Sequence, residues 1–197
     1  LPCIVARLDT LFDMTGMDFG VVLYRVVDFF SAEKIRWGLT GGFAMGALGA
    51  ARTTADIDFL VHRDDMPRVH AFLESLGYRR IHFSENVSQY DNPASAWGSL
   101  DFIHAFRPIS LEMLSRALEK PLPGNRQARV LKPEDVIGLK VQAISNNPAR
   151  RLRDLADIEA LVQANIASLD WTIIKEYFDL FSMGADYSDL KARLGRG

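Results

Sequence analysis

The chain has 197 residues, 48% hydrophobic, 24% charged and 10% aromatic, a balance typical of globular domains. Twenty-three basic against 25 acidic side chains, a net charge of -2, exclude a protein that coats duplex DNA by mass phosphate neutralisation. A single cysteine, Cys3, excludes an intrachain disulfide and a Cys-rich zinc site. Residues 1–18 lack the basic start of a secretory leader, and the most apolar stretch, 19–30, is broken by Arg25 and Asp28. These features predict a cytoplasmic protein without a membrane partner.

In chain order, Val22, Val26 and Phe29 share one face of a helix predicted over 19–34. A short strand over 35–39 leads into Thr40-Gly41-Gly42, and 43–48 reads as a small, tightly packed helix. Residues 55–61 form the clearest strand. Asp64 is placed to cap a helix ending at Gly77, and 78–83 with 87–90 read as a hairpin around 84–86. Another strand covers 97–106, and Pro108 opens a helix to about 119. Pro121-Leu122-Pro123-Gly124-Asn125 reads as a linker, followed by a strand over 128–131. Beyond it the pattern is helical, over 134–145, 149–165 and 169–182. The fold class is α+β: a mixed twisted sheet flanked by helices over 1–132, then a C-terminal helical bundle over 133–197.

Chemistry concentrates in the strand Asp56-Ile57-Asp58-Phe59-Leu60-Val61. Alternation puts Asp56 and Asp58 on one face with Leu60, while Ile57, Phe59 and Val61 take the other. A strand apolar on both faces is central and buried, where paired carboxylates cost several kcal/mol per ion without a compensating charge. No basic residue lies in the strand, so a divalent cation is the natural partner, and hard oxygen ligands suit Mg²⁺. Asp101 sits among apolar residues of a second strand, placed to complete the set and to accept a proton from an attacking hydroxyl. Gly41-Gly42 at a strand–helix junction lets backbone approach a phosphate, although neither a Walker A loop nor G-x-G-x-x-G is present.

Gly41-Gly42, thirteen intervening residues, Asp56-Ile57-Asp58 and a later strand Asp101 are together similar to minimal nucleotidyltransferases of the DNA polymerase beta superfamily. With Phe43-Ala44 and Arg52-Thr53-Thr54-Ala55, they look like the AbiEii-type branch of abortive-infection and toxin–antitoxin systems. Lys140 and Arg153-Asp154-Leu155-Ala156-Asp157 match that branch in order and rough spacing. The resemblance implies a nucleotidyltransferase fold and an enzyme that moves a nucleoside monophosphate from an NTP to RNA or protein, releasing pyrophosphate. It implies two Mg²⁺ ions on Asp56, Asp58 and Asp101, which are also the catalytic set. It further implies an NTP held by Gly41, Gly42, Arg52, Thr53, Lys140 and Asp154, and a toxin or antitoxin partner.

Blander roles stand beside these. Arg52 serves equally well as a salt-bridge partner of Asp56 or Asp58. Arg150–Asp154 and Arg153–Asp157 are i,i+4 pairs that solvate a helix face, and Lys140 fits a snorkelling surface lysine. Two other functions remain open: a silent module that keeps the fold without catalysis, and a nucleotidyltransferase acting on a small molecule such as an antibiotic.

Overall fold

A computed structural model describes residues 19–94 and 97–195; Cys3 and the rest of 1–18 lie outside them. The chain divides into two compact units. The first runs up to Ala47 and resumes over Ala51–Leu131, and the second joins Leu48–Ala50 to the chain from Lys132 onward.

In the first unit, helix α1 (Phe19–Ala32) buries Phe19, Val22, Leu23, Val26, Val27 and Phe30, an i, i+3, i+4 stripe. Then follow β1 (Trp37–Thr40), α2 (Gly41–Ala47), β2 (Asp56–His62), a 3₁₀ turn (Arg63–Asp65) and α3 (Met66–Ser75). The hairpin β3 (Arg79–Phe83) and β4 (Val87–Asp91) precedes β5 (Ser99–Ala105), α4 (Pro108–Ser115), β6 (Leu118–Leu122) and β7 (Arg126–Val130). The seven strands are ordered β3-β4-β5-β2-β1-β7-β6, with β2 in the middle. Pairs β2–β5 and β1–β7 are parallel and the rest antiparallel, so the sheet is mixed.

Register puts Leu39, Phe59 and Phe102 side by side on one face of the sheet. Phe59 stacks on Phe102 at 5.3 Å, meets Phe30 of α1 edge-on at 5.6 Å and lies 5.9 Å from Trp37. Full burial of each ring contributes roughly 2–3 kcal/mol, which makes this face the core. The opposite face carries Asp56, Asp58 and Asp101.

Two expectations in this unit are corrected. Residues 121–125 are no linker: Leu118–Leu122 is a strand paired with Arg126–Val130 through a three-residue turn. Gly124 and Asn125 make that turn at φ of 72° and 63°. Pro121 is tolerated because β6 is the last strand of the sheet, where a missing N–H breaks no ladder on the outer side. Nor does Asp64 cap α3. Its N–H donates to His62 Nδ1 at 3.2 Å, and the residue that ties the turn down is buried Asp65. Asp65 accepts from the Arg36 N–H at 3.0 Å, from Arg36 Nε at 2.9 Å and from Arg68 Nη2 at 2.7 Å.

The second unit contains α5 (Pro133–Asn146), a 3₁₀ turn (Pro148–Arg150), α6 (Arg151–Asn165), α7 (Trp171–Leu180) and α8 (Gly184–Leu194). Ile137, Val141, Ile158, Leu161, Ile174 and Phe178 form its core. Gly138 admits the Tyr177 ring, which a Cβ would meet at 2.7 Å, and Tyr177 donates to Asp135 Oδ1 at 2.7 Å. Asp170 caps α7 by accepting from the Thr172 N–H at 2.8 Å. Asn165 Nδ2 donates to the Leu48 carbonyl at 3.0 Å and ties Leu48 to the helices of this unit. Helix α8 is a further element beyond the three helices expected there.

Candidate active site

Asp56 and Asp58 project from the start of β2, two residues apart and therefore on one face. In the parallel ladder Asp58 lies opposite Asp101 of β5, so pairing alone brings the third carboxylate beside the first two. One oxygen from each of Asp56, Asp58 and Asp101 lies within 4.8 Å of the others, and all three residues are partly exposed. An oxygen-only set of this kind, half open to solvent, fits the requirements of Mg²⁺, which keeps some of its waters.

Each carboxylate is oriented by a neighbour. Buried Thr54 donates through Oγ1 to Asp56 Oδ1 at 2.6 Å. Gln89, opposite Asp101 in the β4–β5 ladder, donates through Nε2 to Asp101 Oδ2 at 2.8 Å. Gly41 has φ of 61°, and a Cβ there would overlap the Asp58 carboxylate, so glycine alone lets the chain turn against this side chain. At Gly42 a Cβ would meet Thr54 at 2.6 Å. The pair Gly41-Gly42 therefore makes room for the carboxylate and for the threonine that holds its neighbour.

Burial pushes the Asp101 carboxyl above its ordinary value; the Gln89 hydrogen bond opposes this, and the nearby Asp56 adds to it. A raised carboxylate is a better proton acceptor than an ordinary one.

Of the other residues expected at the site, Arg52 donates to the Thr53 carbonyl at 2.9 Å, and Thr53 is exposed. Lys140 and Asp154 belong to the second unit, where they bind each other. Lys140, its side chain 8% exposed, donates through Nζ to Asp154 Oδ1 at 3.3 Å and to Asp157 Oδ2 at 2.5 Å, and Arg150 Nε donates to Asp154 Oδ2 at 2.9 Å. Burial pushes Asp154 up, but the hydrogen bond from Arg150 and the charge of Lys140 outweigh it and hold the carboxyl below its ordinary value. Lys140 is therefore not on the surface.

Two residues were missed from the sequence. Thr54, next to the expected Thr53, carried no signal that separated it from its neighbour. Gln89 sits in an alternating strand whose register against β5 is invisible in one dimension.

Residues 23–180 match the model of a family described as uncharacterised nucleotidyltransferase. No curated protein matches the chain. Among solved structures, the chain is similar to the antibiotic-resistance factor ANT(2'')-Ia, with a TM-score of 0.61 at 14% identity over 90% of this chain and 97% of that one. A crystal structure of ANT(2'')-Ia in complex with adenylyl-2''-tobramycin gives 0.60 at 15% identity, over 82% of this chain and 95% of that one. An antigenic nucleotidyltransferase-like protein from Paracoccidioides brasiliensis gives 0.52 at 15% identity, over 86% and 90%. At these identities the likeness establishes the fold.

Proposed function

Because the chain belongs to this nucleotidyltransferase family, we propose that it transfers a nucleoside monophosphate from an NTP to a hydroxyl acceptor with the help of Mg²⁺. The observation that carries this reading is the gathering of Asp56, Asp58 and Asp101 within 4.8 Å beside the Gly41-Gly42 turn. Bound Mg²⁺ would supply charge neutralisation of the triphosphate and of the developing oxyanions.

The chain's own groups do the rest. Asp56 and Asp58 would hold the ions, while Gly41, Gly42, Arg52 and Thr53 would receive the triphosphate. Asp101 completes the ligand set and takes the proton from the acceptor hydroxyl. The acceptor oxygen then bonds to the α-phosphorus, the bridge to the β-phosphate breaks, and pyrophosphate leaves. Catalysis of this kind rests on positioning and charge, without a covalent enzyme intermediate.

RNA or protein is the acceptor in the leading form of this reading, with a role in a toxin–antitoxin pair of the AbiEii type. A second form, a small-molecule acceptor, is favoured by one observation: the chain spans 97% of ANT(2'')-Ia, a protein also seen with adenylyl-2''-tobramycin. One experiment tests both. The protein is incubated with Mg²⁺ and each labelled NTP, together with total RNA, total protein or a panel of aminoglycosides. Label is expected in one of these pools and not with Asp56→Ala. Full transfer by that variant overturns the assignment, and no NTP binding by calorimetry, with or without Mg²⁺, points to the silent module.

A further inference from the structure

The contacts of Asp56 and Asp101 share a design. A neutral donor takes one oxygen of each: the Thr54 hydroxyl at 2.6 Å and the Gln89 amide at 2.8 Å. A neutral donor turns a carboxylate without cancelling its charge, so the second oxygen is presented with its charge intact. Thr54 lies two residues from Asp56 and is part of the same turn. Gln89 comes from another strand, so its bond depends on the pairing of β4 with β5.

The surroundings of Gln89 fix its side chain. Its neighbours Ser88 and Tyr90 are buried on the core face, where Tyr90 meets Phe102 edge-on at 5.5 Å. Alternation then forces Gln89 onto the carboxylate face. On the outer side of β4, the β3 ladder is irregular between Arg80 and His82, so that Arg80 pairs with Tyr90 while His82 pairs with Gln89. Without this bulge, Ile81 would stand opposite Gln89. Bulges re-aim side chains in this manner beside active sites. The result is a cross-strand row on one face, Thr40–Asp58–Asp101–Gln89–His82, in which every member is polar.

We propose that Gln89 is the positioning residue of the third carboxylate: its amide holds Asp101 Oδ2 so that the other oxygen faces the cation and the acceptor hydroxyl. This rests on the metal-dependent transfer proposed above and adds to it the group that sets Asp101. Gly41-Gly42 follows β1, on the far side of β2 from β4, so Gln89 is set against the third carboxylate and not against the turn proposed for the triphosphate.

The test uses the full chain and Mn²⁺ as probe, with free Mn²⁺ counted by electron paramagnetic resonance. Gln89→Met keeps the length of the side chain and removes the donor. It is expected to weaken Mn²⁺ binding about tenfold, the lower range for loss of a group that orients a ligand. The same change made on Asp101→Asn is expected to add less than about twofold, because the two residues act as one unit. In turnover, kcat should drop while KM for the NTP stays within about twofold. Unchanged Mn²⁺ binding in Gln89→Met, beside weakened binding in Asp101→Asn, overturns the role of Gln89 and leaves the carboxylate site standing. Unchanged binding in Asp101→Asn itself removes the carboxylate site, and the role of Gln89 with it. Full additivity in the double variant also overturns the proposal. If Gln89→Met does not melt cooperatively, the side-chain amide of Gln89 in the unaltered protein is followed by ¹⁵N NMR. Its signals should move as Mg²⁺ saturates, and their constancy counts against the proposal.

Discussion

Two pairs of aspartates, one pair in each unit, are held in opposite ways. In the helical unit, Asp154 and Asp157 close on the Nζ of Lys140, and Arg150 takes the second oxygen of Asp154. In the sheet unit, a hydroxyl and an amide hold Asp56 and Asp101, and a glycine makes room for Asp58. Cationic partners neutralise a carboxylate and turn it into a structural tie. Neutral partners orient it and leave its charge to something else. Acidic residues that look alike in the sequence therefore split into those tied by cations and those held by neutral donors with their charge intact.

Breaking the tie should have the largest effect. Lys140→Met removes the cation that joins two buried carboxylates, of which Asp154 keeps Arg150, and is expected to cost about 3–5 kcal/mol, read from the urea midpoint. Asp58→Asn removes one of three crowded like charges and should shift the same midpoint by less than about 1 kcal/mol, in the stabilising direction. Equal losses in the two variants would break the comparison.

A smaller contrast is carried by two glycines. Gly41→Ala forces a Cβ into the Asp58 carboxylate at a positive φ, a strain of about 1–2 kcal/mol. Its larger consequence is a displaced ligand, so Mn²⁺ binding should weaken about tenfold. Gly184→Ala in the helical unit meets Asp179 Oδ1 at 3.7 Å, an ordinary contact, and should change stability by less than about 0.5 kcal/mol.

The smallest effect sharpens the comparison by sign. Asp154 is held below its ordinary value, so its stabilisation is present above the unfolded carboxylate pKa and is lost as pH drops through the folded one. Asp101 is pushed above its ordinary value by burial, so its ionisation opposes the fold and stability decreases as pH rises through that window. Subtracting the thermal midpoints of Asp154→Asn and of Asp101→Asn from those of the unaltered protein, from about pH 3 to 7, should give slopes of opposite sign. Asp65 offers an internal standard for the first sign. Burial raises it, but hydrogen bonds from the Arg36 side chain and backbone and from Arg68 bring it down to about 2.

Much of the sheet unit was legible because its signals are local. The period of two in β2 put Asp56 and Asp58 on one face, and the apolar residues on both faces placed the strand in the middle of the sheet. Strand β6 was not legible, since Pro121 and the turn after it read as a break; the edge position that tolerates a proline is a property of the whole sheet. Lys140 was read either as a phosphate contact or as a surface side chain among apolar helix neighbours; its partners are 14 and 17 residues away, where no local pattern reaches. In β3, plain alternation sets Arg80 and His82 on one face, and the irregular pairing separates them.

By itself, then, the sequence determined which residues are acidic within apolar strands, where the glycine pair stands relative to them, and the family they resemble. These are facts of spacing along one chain, and backbone geometry converts spacing into a shared face. Only the tertiary structure decided that Asp101 lies level with Asp58, that Gln89 holds Asp101, that Thr54 holds Asp56, and that Lys140 is tied to Asp154 and Asp157. The reason is physical. Register between strands and packing between helices follow from the sum of many weak nonlocal contacts, and no local pattern records which partner that sum selects.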